Sequence, residues 1–76
     1  MAELIPFEQK LRQILCERNI TILQFSLDTG IDRWGLFYKK QQHKHHRSKL
    51  MAIAYYLKMT VEELVDGTDA MEDWYG

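Results

Sequence analysis

The stretch from Thr21 to Lys40, TILQFSLDTGIDRWGLFYKK, constrains this chain more than any other feature. Two short helical patterns meet there at Gly30. Ser26 stands four positions before the glycine, and Leu36 stands six positions after it. A small residue at the first position lets a second helix pack close. Glycine supplies the backbone of the turn, and Leu36 anchors the following helix in the core. The spacing is that of a helix-turn-helix unit. Thr21 can accept a bond from the Gln24 amide while Gln24 returns one to the backbone of Thr21, a capping box, with Ile20 stapled onto Phe25. Gly30 stops this helix at positive φ. Asp32 then caps a third helix, running to about Lys40 with Gly35 inside it, whose positive end suits the aspartate charge.

The remaining segments supply partners for that unit. Seventy-six residues hold one domain and leave no room for a second core. The periodicity predicts a first helix from about Phe7 to Arg18, with Pro6 at its first turn and Phe7, Leu11, Ile14 and Leu15 as its apolar stripe. Cys16, the one cysteine, cannot form an internal disulfide and reads as a small buried hydrophobe on that helix rather than a reactive thiol. The run from Gln41 to Arg47, QQHKHHR, has no apolar residue and reads as a surface loop. Ser48 is placed to cap a fourth helix with Leu50, Met51, Ile53, Ala54 and Leu57 inward. Thr60 and Glu63 make a second capping box, with Met59 and Leu64 as its staple, and open a short fifth helix that closes at Gly67. The expectation is an all-α, five-helix bundle over residues 1–67. Residues 68–76 follow as an acidic C-terminal tail, either flexible or a docked arm able to fold back on the basic face or cross to another subunit.

A net charge of −1 hides strong segregation. Residues 1–32 carry −2, residues 33–58 carry +7, and residues 59–76 carry −6. A basic middle beside an acidic end fits an anionic ligand at one face and a repelling or self-docking tail, although an incidental solvated face gives the same counts. No apolar run approaches the roughly 20 residues of a membrane span, and the N-terminus MAELIPFEQK lacks the regions of a signal peptide, so a cytoplasmic protein away from membranes is expected. No nucleophile-and-base pair, phosphate loop or acid pair is present, so no enzyme is expected. His43, His45, His46 and Cys16 lack the spacing of a structural zinc site, and neither metal nor cofactor is expected.

Laid out this way, the chain resembles the Cro and phage-repressor type of helix-turn-helix proteins, the XRE family or lambda-repressor-like domains, from Phe7 to Gly67. One part of the resemblance is Thr21 to Leu36, with Phe25, Ser26, Gly30, Ile31 and Leu36 in packing positions. The other is IAYYLKMTVEELVDG, Ile53 to Gly67, similar to the family's fourth-helix ending, short break and Thr-capped fifth helix. The resemblance implies a bundle that binds operator DNA as a homodimer and regulates transcription, often in bacteriophages and mobile elements. It implies a recognition role for the third helix, with Arg33, Trp34 and Tyr38 facing bases and Phe37 beside them. It also implies phosphate contacts near Thr21 and from Lys44 and Arg47. The chain departs from the family pattern at Ile22, where glutamine is common, and at Thr29 and Lys39, where apolar residues are common. Lys40 stands where glutamate is frequent.

The residues named have chemistry suited to those roles. An arginine such as Arg33 can bond a guanine edge at two points, worth about 1–3 kcal/mol of discrimination, or can simply be solvated. Trp34 and Tyr38 are four apart on one helical face and could pack on thymine methyls or anchor a protein partner; Trp34 could also be core. Lys39, Lys40, Lys44, Arg47 and Lys49 fit phosphate clamps, which position without reading sequence. Histidines near their ordinary pKa of about 6.5 would add positive charge at pH 6 relative to pH 8 and tighten nonspecific binding. Two functions follow: a DNA-binding transcriptional regulator, or a modulator of the same fold that docks a partner protein through Trp34, Phe37 and Tyr38. The +7 middle favours the first. Ile22, Lys39 and the absence of overall positive charge favour the second.

Overall fold

Apolar residues at Phe7, Leu11 and Leu15 recur at helical spacing, and helix α1 (Phe7–Glu17) buries all three completely or nearly so. In the computed structural model, residues 4–33, 36 and 45–76 are described. Among them the remaining helices are α2 (Ile22–Thr29), α3 (Arg47–Leu57), α4 (Val61–Val65) and α5 (Met71–Tyr75). The described residues are all-α, apart from a single parallel bridge between Ile5 and Thr68. The third expected helix falls largely outside the described residues. Its anchor does not: the Leu36 amide donates to the Asp32 carbonyl at 3.2 Å, one helical turn back, and Leu36 is buried.

The expected caps divide into those realised and those replaced. Thr21 Oγ1 accepts from the Gln24 amide at 3.0 Å, but the Gln24 side chain turns along the helix to donate to Asp28 at 2.7 Å, so that box is half made. Thr60 and Glu63 form the complete box, with the Glu63 carboxylate taking both the Thr60 amide and hydroxyl. Those bonds, with Lys10 nearby, hold the Glu63 carboxyl below its ordinary range. Pro6 occupies the N-cap of α1 rather than its first turn, with φ −60. Ser48 does not cap: the cap position lies two residues earlier, at an extended His46 whose side chain makes no capping bond, and α3 starts at Arg47.

The turn after α2 is held by its own side chains. Gly30 adopts φ +74 and its amide donates to Ser26 at 2.8 Å. The Ser26 hydroxyl crosses the turn to the Ile31 carbonyl at 2.6 Å, and Thr29 Oγ1 donates to Phe25 and accepts from the Ile31 amide. A hydroxyl, not an apolar side chain, is what this version of the turn uses at Thr29.

Helices α1 and α3 both end with paired bonds around a left-handed residue. Asn19 takes that position after α1, with the Ile20 amide on Leu15 and the Asn19 amide on Cys16. Lys58 takes it after α3, with the Met59 amide on Ala54 and the Lys58 amide on Tyr55. Asparagine tolerates this conformation; lysine at φ +57 does so under strain. Lys58→Gly is expected to raise stability by about 1 kcal/mol, or roughly 4–8 °C in Tm for a domain of this size. A thermal melt that is unchanged or lower would show that the position carries no strain.

Helix α1 also closes two other helices. Lys10 Nζ donates to the Glu63 and Asp66 carbonyls at 2.6 and 2.7 Å, at the end of α4, and the Arg18 guanidinium donates to the Leu57 carbonyl at the end of α3. Both cations complement the negative ends of the helices they reach. The core they surround is Phe7, Leu11, Leu15, Phe25, Leu36, Leu50, Ile53, Ala54, Leu57, Val61, Leu64, Val65 and Ala70. Phe25 meets Tyr56 edge-on at 5.6 Å, and the Tyr56 hydroxyl donates to Asp28, tying α2 to α3 and raising the phenol pKa.

Two expectations about packing are corrected, and one left open is decided. Cys16 is exposed, because it lies one step round α1 from the Leu11–Leu15 stripe. Met51 is exposed as well, the inner face of α3 being Leu50, Ile53, Ala54 and Leu57 at strict helical spacing. The C-terminal segment, left open between a free tail and an arm, is docked. Thr68 and Ala70 are fully buried, and α5 packs on α3 and α4.

Candidate nucleic-acid interface

The basic middle of the chain leads into α3, and the structure describes that entry in detail. His45 and His46 are extended, and Arg47 opens the helix. The His45 ring stacks at a tilt on Phe7, with centroids 4.9 Å apart, so it is half-buried rather than part of an exposed loop. Arg47 is exposed, and its guanidinium lies 4.6 Å from the centre of the Trp74 ring. Lys49, two residues further, is half-buried, and burial lowers its pKa against the opposing pull of Asp32. Lys49 is therefore partly withdrawn from the solvent-facing role expected of a phosphate clamp.

The acidic end of the chain sits on this entry. The Asp73 carboxylate accepts the His45 backbone amide at 3.0 Å, and the Trp74 indole donates to Glu62 at 3.0 Å. Asp69 accepts the Phe7 amide at 3.0 Å, at the start of α1. None of these contacts has a local sequence signal, because each partner lies at least 12 positions away.

Burial, then the positive charge of Lys49, lowers the His45 pKa from 6.5, while Asp73, Asp69 and Glu8 pull it upward. This weakens the expectation for that histidine: His45 takes up its proton at lower pH than an exposed imidazole would, and so adds less positive charge on mild acidification. The consequence appears in stability. Above about pH 7 the residue is neutral folded and unfolded; below 6.5 the unfolded chain takes up the proton first, so stability falls as pH drops through the lowered folded value. Melts between pH 7.5 and pH 5 are expected to show a decline that His45→Gln flattens. Equal declines in both proteins would place the titration elsewhere.

Of the other expected site residues, Thr21 and Arg33 are described. Thr21 caps α2 through its oxygen, which leaves its hydroxyl proton available to a phosphate. Arg33 is half-buried directly after Asp32, behind the Gly30 turn. Trp34, Phe37, Tyr38, Lys39, Lys40 and Lys44 lie outside the described residues, as do Gly35 and His43. Lys10 and Arg18, by contrast, are already committed to helix ends.

Two other surfaces stand out. An open groove of about 730 Å³ lies between the end of α2 and the junction of α3 with α4, lined by Asp28, Tyr55, Tyr56, Met59 and Glu63 among others. Its carboxylates are already bonded, Asp28 to Tyr56 and Gln24, Glu63 to Thr60. Outward on α2 and α3 are Leu23, Leu27, Met51 and Tyr55, with Leu27 at 69% and Tyr55 at 88% exposure. Among the described residues no group of three metal-ligating side chains converges, and no helix is long and apolar enough to cross a membrane.

These features define a small, mostly helical chain with a locked helix-end turn and a basic helix entry covered by an acidic arm. No family model, curated protein or solved structure matches it.

Proposed function

We propose that this chain binds duplex DNA as a homodimer and regulates transcription, with the architecture of a phage-repressor-type helix-turn-helix bundle. The observation that carries the reading is the unit from Thr21 to Leu36. A Thr-capped α2 ends at a left-handed Gly30, the Ser26 hydroxyl crosses to Ile31, and a helical bond leads to a buried Leu36. The segment that follows Asp32 is, in this reading, the helix such units lay in the major groove. In this reading Arg33, with Trp34, Phe37 and Tyr38, meets base edges, while Thr21, Lys39, Lys40, Lys44 and Arg47 hold phosphates. Regulation would come from occupancy of a site near a promoter.

The test is fluorescence anisotropy with a labelled generic duplex across a salt series. Wild type is expected to bind at low salt with a steep slope of log affinity against log salt. Lys39→Ala/Lys40→Ala should make that slope shallower by about 1.8, two phosphate contacts at roughly 0.9 each. Absence of binding at low salt overturns the reading. Sedimentation on and off DNA tests the homodimer.

A protein-binding modulator of the same fold is the second reading. The exposed Leu23, Leu27, Met51 and Tyr55 favour it, since large apolar side chains on two helices are a common partner surface. It becomes the stronger reading if no DNA is bound.

A further inference from the structure

The acidic arm and the basic entry of α3 meet through two specific contacts rather than by diffuse attraction, and a third bond fixes the arm to α4. Asp73 places a carboxylate oxygen 3.0 Å from the His45 backbone nitrogen, just ahead of the first turn of α3. Trp74 lies beneath the Arg47 guanidinium, 4.6 Å from ring centre to Cζ. The same indole is fixed from the other side by its bond to Glu62 on α4, 3.0 Å long. A carboxylate on a backbone amide next to an arginine and the positive end of an 11-residue helix has the chemistry of a bound phosphate oxygen.

We propose that α5 is a built-in competitor for nucleic-acid phosphate. Asp73 holds the His45 amide and Trp74 holds Arg47, so that DNA must displace this arm to use the entry of α3. The proposal rests on the DNA reading above and adds a regulatory element to it. The rest of the arm is separately anchored. Thr68 and Ala70 are buried, and Asp69 caps α1. Release can therefore be confined to the last turn, residues 71–76, while the segment before it stays in the core. His45 is not itself the switch. Lys49 faces it with a like charge, while Asp73, Asp69 and Glu8 face it with opposite charge, and it remains neutral near pH 7. The competition is between carboxylate and phosphate for the backbone amide and the guanidinium.

The experiment compares wild type, Asp73→Asn and Glu72→Gln in anisotropy titrations with a labelled generic 20-base-pair duplex at low salt. Asparagine keeps an acceptor for the His45 amide and is expected to preserve the fold, which circular dichroism checks. Glu72 is exposed and its side chain makes no contact with the α3 entry among the described hydrogen bonds, so Glu72→Gln removes the same charge without the contact. Asp73→Asn is expected to bind roughly three- to tenfold tighter than wild type, and Glu72→Gln less than twofold tighter. Trp74 is followed by fluorine NMR in the otherwise unaltered chain labelled with 5-fluorotryptophan, its resonance told from that of Trp34 by its loss in Trp74→Phe. The resonance should shift on DNA addition as Arg47 leaves the ring. Equal affinities for all proteins, equal gains for the two charge-neutral variants, or an unchanged Trp74 resonance at saturation would overturn the arm as a competitor while the DNA reading stands. Failure of every protein to bind would overturn the DNA reading, and the competitor role with it.

Discussion

Phe7→Ala is expected to lower stability by about 3–5 kcal/mol in urea unfolding, the usual range for emptying a fully buried aromatic site. A chain of 76 residues has roughly 4–11 kcal/mol in total, so the variant should lose from about a quarter of its stability to all of it. The size of the effect comes from where the ring sits. Phe7 has no exposed surface, lies at the start of α1, carries the His45 ring against it, and has its own amide capped by Asp69. Three segments distant in sequence thus meet at one residue, and the substitution removes its ring packing while leaving the amide cap in place. Leu27→Ala, at an exposed position on α2, is the comparison and should change stability by no more than about 0.5 kcal/mol. A loss of less than 1 kcal/mol for Phe7→Ala would mean that the ring is not the keystone its burial indicates.

Truncation after Gly67 is the second large effect. The segment reads in sequence as either a flexible tail or a docked arm, and its removal takes away buried Thr68 and Ala70, the Asp69 cap on α1 and the Ile5–Thr68 bridge. The buried Thr68 hydroxyl both donates to Val65 and accepts from the Ala70 amide. The lost cap alone is worth about 1 kcal/mol, and newly exposed core adds about 25 cal/mol for each Å² of apolar surface. The truncated chain should lose its cooperative thermal transition, followed by circular dichroism. A cooperative melt within a few degrees of wild type would show the arm to be an appendage after all. For the same reason this truncation is a poor probe of regulation, and point changes at Asp73 are the informative ones.

What the sequence could reveal was decided by distance along the chain. The Thr60–Glu63 box, the Thr21 cap and the positive φ of Gly30 are all set within a few residues, and all were legible. The apolar period of α1 was equally plain. Cys16 and Met51 were misplaced because a single helical step separates an inward from an outward position, and both residue types suit either. Ser48 looked like a cap, but the extended backbone at His46 started α3 two residues sooner. Lys10, Arg18, Asp69, Asp73 and Trp74 gave no local hint of their partners, since each closes a contact that only the folded chain brings together. At the candidate site, Thr21, Arg33 and Arg47 have described positions, and Arg47 is the one whose surroundings sequence reasoning missed. The aromatic and lysine positions after Arg33 rest on spacing and resemblance.

The pairing of Ile5 with Thr68 also bears on how the chain is made. The Ile5 amide donates to Gly67 and the Asp69 amide to the Ile5 carbonyl, so the first helix is fastened by residues synthesised more than sixty positions later. At ribosomal rates of about 5–20 residues per second, the apolar stripe of α1 waits roughly 3–13 s for its last cover. During that interval Phe7, Leu11 and Leu15 are available to holdase chaperones or to the same stripe on a neighbouring nascent chain. Native structure should accordingly arise late and nearly all at once on stalled ribosomes, appearing only after residue 70 has cleared the exit tunnel.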